Sequence, residues 1–162
     1  MRIYLASTLP LLHSWHDAGQ AEGLAVAYAV TPALREWYRE ADLDELEHAA
    51  QIAASIGSLE LLAADAGSQR RRVVVAAEID DALLSPDPGH GRAVVRIGGP
   101  VPLSRWSSAL IDDDAAEPVV AAAISRLAQA GAGDQDAQFA LDEAEAHELG
   151  WYAVQELPHL FA

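Results

Sequence analysis

The stretch RRRVVVAAEI, residues 70–79, sets three consecutive valines between a run of arginines and the acidic pair Asp80-Asp81. β-Branched residues in such density favour a strand. A strand here rules out an all-helical bundle, and the rest of the chain is read outward from it. Arg70, Arg71 and Arg72 are the only basic run. They read as charged guards of a strand edge or as a grip for a phosphate or acidic peptide, with the edge role preferred.

Upstream, RIYLA at 2–6 reads as a short strand, followed by a helix capped by Ser7 or Thr8 and ending near Gly19. LAVAYAV at 24–30 is a continuous apolar run suited to a buried strand. Thr31 and Pro32 then open a helix. Asp42 and Glu45 mark the start of another, from Leu43 to about Ala64. That helix is apolar on two sides, so it reads as the buried spine of the fold.

Downstream, SPDPGHG at 85–91 is a loop, and AVVRI (93–97) and SSALID (107–112) are two further strands. From Ala115 the chain returns to helix, at about 115–130 and 135–157. The element order predicts an α+β (or α/β) fold: a mixed sheet of about five strands in two layers, covered by helices, with an Ala-rich helical C-terminal part. Residues 1–162 read as a single globular domain.

Composition narrows the chemistry. The 162 residues contain no cysteine and no lysine, which excludes thiol catalysis, thiolate metal sites and Schiff-base chemistry. The formal charge of −15 opposes binding to nucleic acid or to an anionic membrane surface. No apolar stretch reaches membrane-spanning length and no secretory h-region opens the chain, so a cytoplasmic protein is expected.

The richest chemical text is FALDEAEAHELGWYAVQEL, residues 139–157. On one continuous helix, Glu143 and His147 stand i, i+4 on the more apolar face, about 40° apart. Two readings follow: a catalytic acid–base pair, or an ion pair closing the rim of the core. Asp80 and Asp112 each follow a strand, and strand ends lying side by side would offer oxygen ligands to a divalent metal. The plainer reading of the second cluster is that Asp113 or Asp114 caps the next helix. Glu45 and His48 resemble a di-metal ligand pair only poorly, because the last helix does not repeat their spacing. Trp37 and Tyr38, with Trp151 and Tyr152, supply large apolar area for an interface or for packing between two helices.

Four segments resemble a known family: MRIYLASTLPLL (1–12), AVTPALREWY (29–38), RRRVVVAAEIDDA (70–82) and DAQFALDEAEAHELGWYAVQELPHL (136–160). Together they are similar to an uncharacterised protein family of high-GC actinobacteria, classed as a domain of unknown function. The resemblance covers nearly the whole chain. It implies a free-standing cytoplasmic protein and carries no activity, ligand or catalytic residue. The expected function is a non-catalytic interaction or regulatory module working with a protein partner or as a homodimer. The alternative is a small hydrolase or transferase using Glu143 and His147, either without a cofactor or with a divalent metal.

Overall fold

Val73, Val74 and Val75 expose no surface, because the strand that carries them runs through the middle of a sheet covered on both faces. The computed structural model describes residues 1–161. The chain begins with β1 (Arg2–Ser7), α1 (Leu9–Ala18), the two-residue β2 (Gln20–Ala21), β3 (Val26–Ala29), α2 (Pro32–Trp37) and α3 (Leu43–Ala63). It continues through β4 (Val73–Glu78), β5 (Leu84–Pro86), β6 (Val94–Ile97), β7 (Val101–Pro102) and β8 (Trp106–Ile111). It closes with α4 (Glu117–Gly131), α5 (Gln135–Ala146), β9 (Gly150–Tyr152) and α6 (Leu157–Leu160).

The main sheet has seven strands in the order β5-β6-β3-β1-β4-β8-β9, and β2 pairs with β7 in a small separate ribbon. Each pairing in the main sheet is antiparallel. The α+β class expected from the sequence is the class observed. The sheet differs from expectation in its direction and in having seven strands. The two added at its margins, β5 and β9, are three residues long, too short to stand out as apolar runs.

Side chains alternate across the sheet, as the two-residue period of a strand requires. Ile3, Leu5, Val73, Val75 and Ala77 face a cluster that includes Leu12 and Trp15 of α1 and Leu157 of α6. Tyr4, Val74 and Ala76 face the opposite cluster, with Leu46, Ala50 and Ala54 of α3. Helices thus lie over both faces, one layer more than expected. That is why the valine run is continuous: a strand covered on both sides has no polar face to alternate with.

Helix caps follow the sequence closely. Thr8, Thr31 and Asp42 each accept a hydrogen bond from the backbone N–H three residues on, at 3.3, 3.1 and 2.9 Å. Helix α3 approaches the sheet at Gly57, where a Cβ would come within 2.5 Å of the Tyr28 hydroxyl. At the next residue, the buried Ser58 hydroxyl donates to the Ser7 carbonyl at 2.7 Å and accepts from the Val73 N–H at 3.1 Å. It bridges the ends of β1 and β4. Beyond that point Leu59 and Leu62 pack against Val120 and Ala123 of α4 and Leu141 and Ala144 of α5.

The C-terminal segment is where the sequence misleads. Residues 135–157 do not form one helix. Helix α5 stops at Ala146, and His147 adopts an extended ψ of 108°. The chain then adds β9 to the free edge of β8, pairing Gly150 with Ile111 and Trp151 with Leu110. A Cβ at Gly150 would meet the Ile111 carbonyl oxygen at 3.2 Å, so the close pairing favours glycine here. Strand hydrogen bonds outweigh the helical periodicity of this stretch. Among the described residues no helix is long and apolar enough to cross a membrane.

Candidate functional site

Arg72 and Asp112 stand just beyond the last paired residues of β4 and β8, Val73 and Ile111. Their side chains are 2% and 0% exposed. Asp112 Oδ2 accepts from the Arg72 Nε at 2.8 Å and from its backbone N–H at 2.7 Å, and Oδ1 accepts from Nη2 at 2.9 Å. The Asp112 backbone N–H donates back to the Arg72 carbonyl at 3.1 Å. The second N–H of Nη2 goes to the carbonyl of His147 at 2.8 Å, which holds the chain where α5 ends. Burying two charges is costly unless their lone pairs and protons are matched in this way.

The neighbouring residues extend the clasp. Arg70 Nη1 donates to the carbonyls of Leu62 and Asp65 at 2.8 and 3.1 Å, closing the C-terminal end of α3. Arg71 Nε donates to the Asp112 carbonyl at 2.8 Å, and its Nη1 lies 3.6 Å from Asp114. Asp113 caps the turn into α4 through the Ala116 N–H at 3.2 Å, and its Oδ1 lies 3.1 Å from His147 Nε2. The three arginines are therefore not guards of a strand edge. Strand β4 has β1 on one side and β8 on the other, and each guanidinium meets its own acceptors in the fold.

Beside this clasp, a cleft of about 200 Å³ opens between α3 and the segment after α5. Its walls carry His48, Ser55, Arg72, Glu145, His147 and Glu148. The Glu145 carboxyl is pushed above the usual glutamate range, first because its environment takes it partly out of water, then by Asp142; Arg72 opposes the shift. Along α3 the cleft continues, through the shared His48 and Ile52, into a groove of about 490 Å³ formed with Tyr38, Ala41 and Ala49. Asp44 and Glu45 stand on its rim.

The structure rearranges the residues singled out in the sequence. Glu143 is exposed on α5 and forms no side-chain hydrogen bond or ion pair among the described residues, while the His147 ring turns to Asp113. The i, i+4 couple needed a continuous helix, and α5 ends one residue before His147. Asp80 and Asp112 are not neighbours. Because β4 and β8 run antiparallel, their carboxyl ends lie at opposite ends of the sheet. Asp80 caps a short turn through the Ala82 N–H at 3.1 Å, and Asp112 is bound to Arg72. Among the described residues no group of three or more His, Asp or Glu side chains is placed to hold a metal.

The aromatic pairs lie apart. Trp37 is 61% exposed under the Arg92 guanidinium, 3.6 Å from its ring centre, and Tyr38 beside it is 48% exposed. Trp151 projects from the edge strand β9 and is 64% exposed, whereas the half-buried Tyr152 packs on the core. Packing between two helices is not what these rings do, since β9 is a strand. From sequence Arg72 reads only as an edge guard or an anion grip, and Ser58 and Glu145 carry no role. The available signal was a run of three positive charges before one strand and three negative charges after another. It becomes legible only when those strands are known to be antiparallel neighbours.

An antiparallel sheet with helices on both faces, fastened by a buried ion pair and bordered by an acidic, apolar groove, defines an α+β protein. Residues 1–161 match the model of the Family of unknown function (DUF6912), and the chain belongs to that family. No curated protein and no solved structure matches it.

Proposed function

We propose that this protein is a non-catalytic docking module whose α2–α3 surface receives a basic, apolar-faced segment of a protein partner. The observation that carries this reading is the groove of Tyr38, Ala41, Ala49 and Ile52 with Asp44 and Glu45 on its rim. Trp37, 61% exposed, extends the apolar surface beside it. Apolar area of this kind, rimmed by charge, is the usual form of an interaction site. Arg92 holds the Trp37 ring in place, which lowers the entropy lost when a partner covers it.

Charge selects the occupant. The chain carries a formal −15, so a second copy would bring the same sign to the rim, whereas Lys or Arg flanking apolar side chains would meet Asp44 and Glu45. Catalysis gains no comparable support, because the polar groups with the closest geometry are bonded to one another in the Arg72–Asp112 clasp.

Titration with an amphipathic helical peptide of leucine and lysine, read by tryptophan fluorescence, tests this reading. Binding that weakens with salt, fails for the leucine–glutamate counterpart, and falls about tenfold or more in Tyr38→Ala is expected. Equal affinity for wild type and Tyr38→Ala would sink it. A stable dimer in sedimentation that shields Trp37 from an aqueous quencher would instead assign the groove to a second copy.

A further inference from the structure

Arg72 has donors left over. Its Nε and Nη2 take up Asp112 and the His147 carbonyl, but Nη1 donates to no protein acceptor among the described residues. In those same residues every solvent-inaccessible side-chain nitrogen and oxygen has a hydrogen-bond partner. Nη1 must therefore retain a solvent-facing patch, although the side chain as a whole is 2% exposed. The opening available to it is the cleft whose wall Arg72 forms. Nη1 of this buried, rigidly held guanidinium thus keeps donor capacity, on a residue that forms part of the wall of a cavity of about 200 Å³.

The surroundings restrict what fits. Asp112 already compensates the charge of Arg72, and the carboxylates of Glu145 and Glu148 stand on the same cleft. An anion would meet a net negative field, but an uncharged carbonyl oxygen can accept from Nη1 without that penalty. The two glutamates favour a positive group beside it, and Ile52 and Leu149 offer apolar wall. We propose that this cleft binds a primary ammonium adjacent to an uncharged carbonyl, as in an amino-acid amide or the first residue of a peptide chain. The carbonyl oxygen accepts from Arg72 Nη1, the ammonium donates to Glu145 and Glu148, and a medium apolar side chain rests on Ile52 and Leu149. The raised carboxyl of Glu145 agrees with this, since a bound cation would offset by attraction the repulsion from Asp142 and the cost of desolvation. The inference rests on Arg72 and not on the α2–α3 groove, so either can fail alone.

Nuclear magnetic resonance titration of the full chain tests it with leucinamide, leucine and N-acetyl-leucinamide. Leucinamide is expected to shift the Arg72 Nε–Hε signal and the His48 and Leu149 amides saturably. Leucine adds a carboxylate and N-acetyl-leucinamide lacks the ammonium, so both should bind about tenfold or more weakly. Glu145→Gln combined with Glu148→Gln removes two carboxylates that take no part in the clasp, and should weaken leucinamide by a similar factor. Leu-Gly-Gly with a free amino terminus separates the two sources. Tighter binding than leucinamide assigns the cleft to a chain end, and weaker binding assigns it to a small amide. No saturable shift from leucinamide or Leu-Gly-Gly overturns the proposal, as does equal binding of all three leucine compounds or an unaffected double variant.

Discussion

Arg72 grips both carboxylate oxygens of Asp112 while its own backbone N–H donates to one of them, so two residues 40 positions apart close the β4–β8 ladder inside the protein. Removing one partner leaves the other charged and buried. Asp112→Ala is expected to cost about 3–5 kcal/mol in urea unfolding, whereas Arg72→Met with Asp112→Leu should recover most of that loss. A double variant no more stable than the single one would show that the pair acts through its link to His147 and not through charge burial.

Ser58 satisfies two backbone groups with one hydroxyl, the Ser7 carbonyl and the Val73 N–H. Ser58→Ala leaves both without that partner in a buried site. A loss of about 1–3 kcal/mol is expected, with faster amide hydrogen exchange at Val73. Unchanged exchange there would mean the strand ends are held without the bridge.

Gly57 lets α3 lie against the sheet, and a methyl group there would press on the Tyr28 hydroxyl at 2.5 Å, with the Ala6 Cβ at 3.1 Å. Gly57→Ala should destabilise by about 1–3 kcal/mol. Adding Tyr28→Phe should restore part of this, since it removes the closest atom. Strict additivity of the two changes in denaturation would refute the contact.

Glu145 gives stability a pH dependence of stated sign. Its carboxyl is raised in the folded state, chiefly by its partly dehydrated setting and then by Asp142. The folded chain therefore holds this proton more tightly than the unfolded chain. The resulting stability is fully present below the ordinary glutamate range and is lost as pH rises through the folded value. Glu145→Gln should flatten that fall and leave stability at neutral pH equal to wild type or higher. A steeper fall in the variant would reverse the assignment.

Thr8, Thr31 and Asp42 act as the caps that local spacing foretold, because a cap is a contact within four residues. The valine strand was legible for a similar reason, as its pattern depends only on its own side chains. His147 was misread because helical periodicity from Phe139 to Leu157 continues through a point where the chain is extended. The Arg72 bond to its carbonyl and the pairing of Gly150 with Ile111 come from residues far away in sequence.

The α+β class, the main strands and helix starts, the negative net charge and the absence of thiol and lysine chemistry can be read from the chain alone. These depend on composition and on interactions a few residues long. Tertiary contacts settled which strands are neighbours, that Arg71 and Arg72 meet Asp114 and Asp112, and that Arg72 forms part of the wall of a cleft. Those outcomes depend on which distant groups can satisfy one another once water is excluded, and hydrophobic spacing along one chain does not encode them.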